Sequence, residues 1–385
     1  MIYLVIALLI LFCHTVDFGQ KKDEKFDRVV YFSLFLILSL IAGLRYRVGG
    51  DSLAYQEYFY AYPNLSQLRR FSFGEAQYRP LWYILNATIK SINDSFILFQ
   101  FVQAIFVNGV IFWFIKRYCK AKYEGILFYF IFGYTYFNME ILRESFPVCI
   151  FLLSVPYLLK KKWLLYYLFS IIAFFFHFSA VITFVIPFLT RRLKIWHIIL
   201  LILLVFVPFL FINPYEVFSY FNYSSDFGAK VETYTSLNIN GYGVLMQVIA
   251  ILPVAGFKIL RQKCKIPPHV FENLMTAYLV IGIFAAVIGG FARFLNYLNI
   301  LSIIYIVDSF FILKKYKKLY YTKYLWSIGI VFIMFGYQTY YYCRDTSRYQ
   351  KDTRFYDLYL PYYSVFNPVV DRQREMLYFK QMGLY

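Results

Sequence analysis

Apolar runs recur from one end of this sequence to the other, and short basic breaks separate them. Most runs are about 15–22 residues long and apolar on all sides, which is the length that a helix needs to cross about 30 Å of hydrocarbon. Lipid cannot hydrogen-bond to exposed backbone groups, and the sequence shows no alternating strand pattern, so helices are favoured. With 61% hydrophobic and 16% charged residues, the chain is predicted to be an all-α polytopic integral membrane protein.

The basic breaks give the runs a direction, because Lys and Arg collect in cytoplasmic loops. Following them predicts about twelve transmembrane helices with both termini outside. The short run Pro80–Ile92 is predicted to be a re-entrant or interfacial helix, since a full crossing would put the next basic cluster outside. The predicted organisation is one transmembrane domain, residues 1–342, with external loops at 45–79 and 213–241, and an external tail at 343–385.

The run Trp163–Leu189 is followed and preceded by basic residues. Both of its ends are therefore predicted to be cytoplasmic. Two short helices that meet near His177 satisfy this requirement and place His177 at a hairpin tip near the outer side. The alternative is one long tilted helix with one basic end on the wrong side of the membrane.

The net charge of +18 would suggest nucleic acid as the partner of a soluble protein, but here topology explains most of it. The predicted inner side carries 18 Lys and 5 Arg, whereas the predicted outer side carries 4 Lys and 12 Arg. Orientation needs only positive charge, while guanidinium holds phosphate or carboxylate through paired hydrogen bonds. Arginines of the tail can also meet lipid headgroups or solvent. For those at helix ends an anion-binding function is predicted: Arg45, Arg47, Arg143 and Arg293.

Other polar residues are predicted on the same side. His177 can act as a base or orient a phosphate, because imidazole titrates near neutral pH. Asp51 follows the Gly49-Gly50 turn, and it is either a brace for an arginine or a base or acceptor-binding carboxylate. Tyr55 lies four residues further, on the same side of a following helix, and Glu75 is a further candidate.

Several chemistries lack their sequence patterns. The sequence contains no HExxH motif, no paired Cys/His ligand spacing, no P-loop and no dinucleotide-binding glycine pattern. This argues against a dedicated metal site and against a machine driven by nucleotides. No cofactor is predicted, and the five cysteines show no obvious pairing.

Six loose motifs, in chain order, resemble those of the EpsG family. They are Arg47–Tyr55, Glu75 before Pro80–Trp82, Leu142–Glu144, Lys160–Lys162 followed by Phe176–Ala180, Arg293, and Pro361–Phe366. Two positions depart from the family pattern. Glu144 stands where Gln is usual, which puts a role for that amide in doubt, and Gly50 stands where Thr is usual.

The resemblance implies a Wzy-like polymerase of exopolysaccharide, capsule or O-antigen, a glycosyltransferase with a GT-C-like helical bundle in the bacterial cytoplasmic membrane. Its substrates would be repeat units carried on undecaprenyl diphosphate, joined to a growing polysaccharide at the outer face. Its further partners would be a chain-length regulator and a flippase. In that mechanism arginines stabilise the departing lipid diphosphate without a metal, and His177 or Asp51 takes the acceptor's proton.

Three alternatives remain open at this point. A flippase or transporter of the same lipid-linked sugar would show internal repeats and charges along a midplane path, and the sequence shows no clear repeat. A non-catalytic subunit of a polysaccharide synthesis complex would not explain the excess of outer arginines. A membrane O-acyltransferase fits one histidine among aromatic residues, but not four arginines.

Overall fold

A computed structural model describes residues 2–17, 24–68, 80–190, 200 and 241–381. Within these residues the secondary structure is helical, with isolated β-bridges only. Five of the helices are long and apolar enough to cross a membrane, and four more apolar helices are shorter. The protein is therefore an all-α membrane protein, as predicted, while the count of twelve crossings and the outer position of both termini stay predictions.

The helices are numbered in chain order. They are α1 (Ile2–Asp17), α2 (Glu24–Gly43), α3 (Ser52–Ala61), α4 (Leu65–Leu68), α5 (Pro80–Ile92), α6 (Phe96–Tyr118), α7 (Lys122–Tyr129), α8 (Leu142–Leu159), α9 (Trp163–Phe176), α10 (Val181–Leu189), α11 (Gly241–Lys263), α12 (Glu272–Val287), α13 (Ala292–Lys315), α14 (Tyr321–Cys343) and α15 (Arg372–Gln381).

The chain divides into two compact units, Met1–Val181 with Gln338–Tyr385, and Ile182–Tyr337. We call them the first and second units. The tail thus belongs to the first unit, and the predicted domain boundary after residue 342 stays a prediction. The predicted external loop at 45–79 contains α3 and α4, and the loop at 213–241 lies almost entirely outside the described residues.

Two local predictions about helix ends are met. The Pro80–Ile92 helix has the predicted bounds, although whether it is re-entrant stays a prediction. The Trp163–Leu189 run is broken where expected, because His177 adopts an extended backbone (φ −158°, ψ 135°) and a short 3₁₀ helix, Phe178–Ala180, follows. The alternative of one continuous long helix is wrong.

Helix α7 continues through two π-helical segments, Phe130–Tyr134 and Tyr136–Glu140. A buried hydrogen-bond network stabilises these π-helical segments. The Asn138 side-chain amide donates to the Tyr129 hydroxyl (2.8 Å) and the Tyr134 carbonyl (2.9 Å), and the Asn108 amide donates to Asn138 Oδ1 (3.0 Å). Segments of π-helix are rare and occur frequently at functional sites.

The first unit has two ends, which we call the lysine end and the tail end. At the lysine end, α6 turns into α7, Lys122 pairs with Asp27 at the start of α2, and Lys160–Lys162 links α8 to α9. Helices α6 and α8 run in parallel, since the side-chain amide of Gln103 donates to the Ser145 hydroxyl (3.1 Å) near both helix starts. Lysines collect at the lysine end, where the short links between helices are rich in Lys and Arg, whereas most of the described arginines of this unit lie at the tail end. Short links of this composition are what the positive-inside rule gives a cytoplasmic face.

At the tail end, α2 ends, α8 begins and α9 ends, and residues 344–381 pack there. The tail is joined to the chain after α2 by backbone hydrogen bonds. The amides of Tyr46 and Gly49 donate to the carbonyls of Tyr363 and Leu358, both at 2.9 Å, and the Val365 amide donates to the Leu44 carbonyl at 2.9 Å. These bonds connect segments more than three hundred residues apart and make the tail a fixed wall of the first unit.

Arg374 anchors this wall from within. Only 1% of it is exposed, and its guanidinium donates to the carbonyls of Asp357 (3.0 Å), Arg47 (3.2 Å) and Pro361 (2.5 Å). Burial lowers the pKa of Arg374, opposed by the charge of Asp371. A tail arginine that could equally have faced solvent or lipid headgroups thus has a structural function.

We expect Arg374→Ala to lower the free energy of unfolding by about 2–4 kcal/mol, because three buried carbonyls lose a charged donor. Thermal unfolding of the purified protein in detergent and limited proteolysis of the tail measure the effect. Arg372, on the same helix but exposed, gives the matched control Arg372→Ala. Equal unfolding temperatures for the two variants would contradict this assignment.

The second unit is held together by a buried charge network where α11, α12 and α13 meet. The Lys258 ammonium donates to the Thr276 hydroxyl (2.9 Å) and the Glu272 carbonyl (3.0 Å), and it pairs with the Glu272 carboxylate (3.2 Å). His269 lies 3.2 Å from Asp308. A cavity of about 410 Å³ lies beside these residues. Because both ammonium and imidazole are bonded to protein groups, we interpret the network as a structural tie.

Candidate functional site

The loop after α2 is folded around Arg45, which is completely buried. Its guanidinium donates to the carbonyls of Val48 (3.0 Å) and Ala42 and lies 3.4 Å from the Ser52 hydroxyl. Burial lowers the pKa of Arg45 to about 10, so the side chain remains charged at neutral pH. Its donors therefore hold the loop in shape. The predicted role in binding substrate stays untested, but this geometry gives Arg45 a different function.

Arg47 also bonds within the protein. It pairs with Glu375 of α15, and its Nη1 lies 3.4 Å from the Gln56 side-chain oxygen. The chain then turns at Gly49, whose φ is +112°. A Cβ at Gly49 would lie 2.7 Å from the Met139 carbonyl oxygen, so the turn requires glycine on two grounds. The loop therefore packs closely against the end of the π-helical segment.

Two carboxylates meet where this loop contacts the π-helical segment. Asp51 is half-buried and directly precedes α3. A Cβ at Gly50 would lie 3.5 Å from Cγ of Glu140. One carboxylate oxygen of Glu140 is enclosed without a hydrogen-bond partner among the described residues. Burial, followed by the charge of Asp51, raises the pKa of Glu140 to about 8, and Arg344 acts in the opposite direction.

Arg143 lies in the first turn of α8, three residues after Glu140. It is half-buried, and its Nε is enclosed without a hydrogen-bond partner in the described part of the chain. Tyr55 is its neighbour. Burial raises the pKa of Tyr55 to about 12, with Arg143 lowering it and the charges of Asp51 and Glu144 raising it. The phenol therefore keeps its proton at neutral pH and can donate a hydrogen bond beside the guanidinium.

His177 lies at the C-terminal end of α9 and is buried. The backbone amide of Ser179 donates to its Nδ1 (3.2 Å), and the Ser179 hydroxyl lies 2.7 Å from the same atom. Because Nδ1 accepts a hydrogen bond, the proton of the neutral ring is on Nε2. This tautomer makes His177 a hydrogen-bond donor through Nε2 and disfavours it as the base.

An aromatic cluster holds these residues in one region of the first unit. Phe146 and Phe176 stack with ring centres 5.5 Å apart and an angle of 5° between the rings. Phe146 follows Arg143 by three positions in sequence, and Phe176 directly precedes His177. Trp82 of α5 packs on Phe146 (6.1 Å) and on Tyr55 (6.0 Å). Tyr55 thus packs on this cluster at the tail end, with Arg143 as its neighbour and His177 directly after Phe176.

Two predicted site residues are not joined to this group by the structure. Arg293 lies in the second unit, exposed, at the second position of α13. Glu75 lies outside the described residues. Their predicted roles in binding substrate stay predictions. In the described ranges no group of three or more His, Cys, Asp or Glu side chains is placed to hold a metal ion.

Glu140 and Arg344 are site residues that the sequence did not predict. Arg344 follows α14, and its guanidinium lies 3.7 Å from the ring centre of Phe355 and 4.2 Å from that of Tyr341. The sequence signal for Glu140 was its place at the predicted outer edge of the membrane. Contact between Glu140 and the loop at Gly50 is a tertiary feature that the sequence does not display.

Comparison with known proteins gives one family. The model of the EpsG family matches residues 28–364. No curated protein and no solved structure matches the chain significantly.

Proposed function

Because the chain belongs to the EpsG family, which indicates a polysaccharide-polymerase-like membrane protein, we propose that it joins oligosaccharide repeat units carried on undecaprenyl diphosphate. The product is an exopolysaccharide, capsule or O-antigen chain. The reaction takes place at the outer face of the bacterial cytoplasmic membrane. A flippase delivers the lipid-linked units and a chain-length regulator limits growth, so both are proposed partners.

The main support for this proposal is that Arg143 has a buried N–H group without a hydrogen-bond partner among the described residues. Arg143 neighbours Tyr55, which packs on the aromatic cluster, and the N–H group is that of its enclosed Nε. Leaving a buried donor unpaired is costly, and guanidinium is the side chain best suited to hold phosphate oxygens. Arg45 and Arg47, in contrast, bond to carbonyl, hydroxyl, amide and carboxylate groups of the protein. Arg143 is therefore the proposed diphosphate-binding arginine.

The proposed reaction is a single displacement of the diphosphate. A hydroxyl oxygen of the acceptor sugar loses its proton to a base and bonds to the anomeric carbon of the donor sugar, and the bond from that carbon to the diphosphate oxygen breaks. The diphosphate leaves with the electron pair. Arg143 stabilises the developing negative charge, and the Tyr55 hydroxyl and His177 Nε2–H serve as further donors. Guanidinium supplies the positive charge that this step needs.

The arrangement of the first unit supports an outer site. The proposed residues lie at the tail end, opposite the lysine end, and the positive-inside rule assigns short links rich in Lys and Arg, such as those of the lysine end, to the cytoplasm. A lipid-linked donor can reach a site at a helix end from the bilayer. A cysteine introduced at Ser347, an exposed position of the tail, should react in intact cells with a thiol reagent that does not cross membranes. Labelling only after lysis would place the site inside.

Complementation of a deletion strain separates polymerisation from transport. We expect the deletion to leave single repeat units on the lipid at the outer face and to lose long chains on polysaccharide gels. The intact gene should restore the ladder. Accumulation of lipid-linked units at the cytoplasmic face would instead identify a flippase. Restoration of the ladder by both Arg143→Ala and His177→Ala would indicate a non-catalytic subunit.

A further inference from the structure

The turn between the π-helical segment and α8 carries an unused acceptor as well as an unused donor. Glu140 Oε1 and Arg143 Nε are both enclosed, and neither has a hydrogen-bond partner among the described residues. Arg143 follows Glu140 by three positions in the chain. An unpaired buried acceptor is suited to a donor such as a hydroxyl, and an unpaired guanidinium N–H is suited to an anion. In the proposed displacement, the acceptor sugar provides the hydroxyl and the departing diphosphate is the anion.

We infer that Glu140 is the general base of this displacement. This inference rests on the proposed function. The Glu140 carboxylate takes the proton of the acceptor sugar's hydroxyl while that oxygen bonds to the anomeric carbon and the carbon–diphosphate bond breaks. The diphosphate leaves with the electron pair of the broken bond, and Glu140 later returns the proton to water.

The surroundings of Glu140 fit this role. Three titratable or charged groups face it: Asp51 from the loop before α3, Tyr342 from α14, and Arg344 from the start of the tail. The Tyr342 hydroxyl is hydrogen-bonded to the Thr135 hydroxyl. Burial and the Asp51 charge favour the protonated carboxyl, so an ionised Glu140 is a stronger base than an exposed glutamate.

The two residues predicted as bases are less suited. His177 Nδ1 accepts the Ser179 amide, which leaves the ring proton on Nε2. Asp51 is held beside Glu140, and two neighbouring carboxyl groups titrate apart, because the charge of the first raises the pKa of the second. The charge of Asp51 raises the pKa of Glu140 and thereby keeps its carboxylate basic. Asp51 is thus a positioning residue that acts through Glu140. This role is neither the arginine brace nor the base that the sequence left open for it.

The test uses purified full-length protein in proteoliposomes, with lipid-linked repeat units extracted from the deletion strain as substrate. Linkage formation is measured between about pH 6 and about pH 9, and binding of the lipid-linked unit is measured separately. General-base removal costs about 10²–10⁴-fold in rate, so Glu140→Gln should lose that much with binding within about threefold of wild type. Glu140→Asp should recover part of the rate. Activity of Glu140→Gln within about threefold of wild type would overturn the inference.

The pH profile separates catalysis from folding. The base must be ionised, so the wild-type rate should rise with pH and level off near the pKa of Glu140, about 8. Arg344→Leu removes a positive charge and should move this rise to higher pH, whereas Asp51→Asn should move it to lower pH. An unmoved profile in both variants would also overturn the inference. If wild type forms no linkage at any pH, the proposed function has failed instead.

Discussion

Arg143→Ala is expected to stop chain growth while the protein stays folded. Removing one donor to a developing oxyanion costs about 10²–10³-fold in rate, and Arg143 is the one proposed to face the departing diphosphate. Its Nε has no hydrogen-bond partner among the described residues, so little stability should be lost with it. Polysaccharide gels and the rate of linkage formation by purified protein measure the effect.

Two variants sharpen this prediction. Arg143→Lys keeps the charge but loses the planar pair of donors, so it should remain at least about tenfold impaired. Arg348 is an exposed arginine of the tail that stacks on Tyr349 (4.5 Å), and Arg348→Ala should retain full activity. Equal activity of Arg143→Ala and Arg348→Ala would contradict the assignment.

Glu140→Gln is expected to make the protein more stable above about pH 8, even as it removes activity. Burial and the Asp51 charge raise the pKa of Glu140 from 4.5 to about 8. Between these values the folded protein holds a proton that the unfolded chain releases, so the free energy of unfolding falls as pH rises. Glutamine does not titrate, and the variant escapes this loss, which is on the order of a few kcal/mol.

Unfolding temperatures in detergent at about pH 5 and about pH 9 measure this difference. The stability gain of Glu140→Gln should be small at the lower pH and largest at the higher. Glu57 is exposed on α3, and Glu57→Gln is the matched control that should show no such gain. A gain that does not depend on pH would mean that the carboxyl of Glu140 does not pay a cost for ionisation.

The helical membrane class and the helix ends could be predicted from sequence because they depend on local chemistry. Apolar runs and basic breaks identify the helices, and the pattern around His177 predicted the break that its extended backbone produces. The Pro80–Ile92 helix follows from proline at its first position and the short apolar run after it. These features need no knowledge of which segments meet.

The composition of the site could be predicted only in part, because partners distant in sequence decide what a charged side chain does. Arg45 and Arg143 look alike in sequence, since each stands at a helix end beside apolar residues. Arg45 is enclosed by carbonyls of its own loop, whereas Arg143 Nε is not paired in the described chain. The tail residues that pair with Arg47 lie 328 positions further along the chain, beyond the reach of any local pattern.

The most direct test of the proposed polymerase is reconstitution of the purified protein in proteoliposomes with one type of lipid-linked repeat unit. Linked repeats are expected, together with one released undecaprenyl diphosphate for each linkage formed. With Arg143→Ala, both products should form about 10²–10³-fold more slowly. Movement of intact lipid-linked units across the bilayer without any new linkage or released diphosphate would contradict the proposed function.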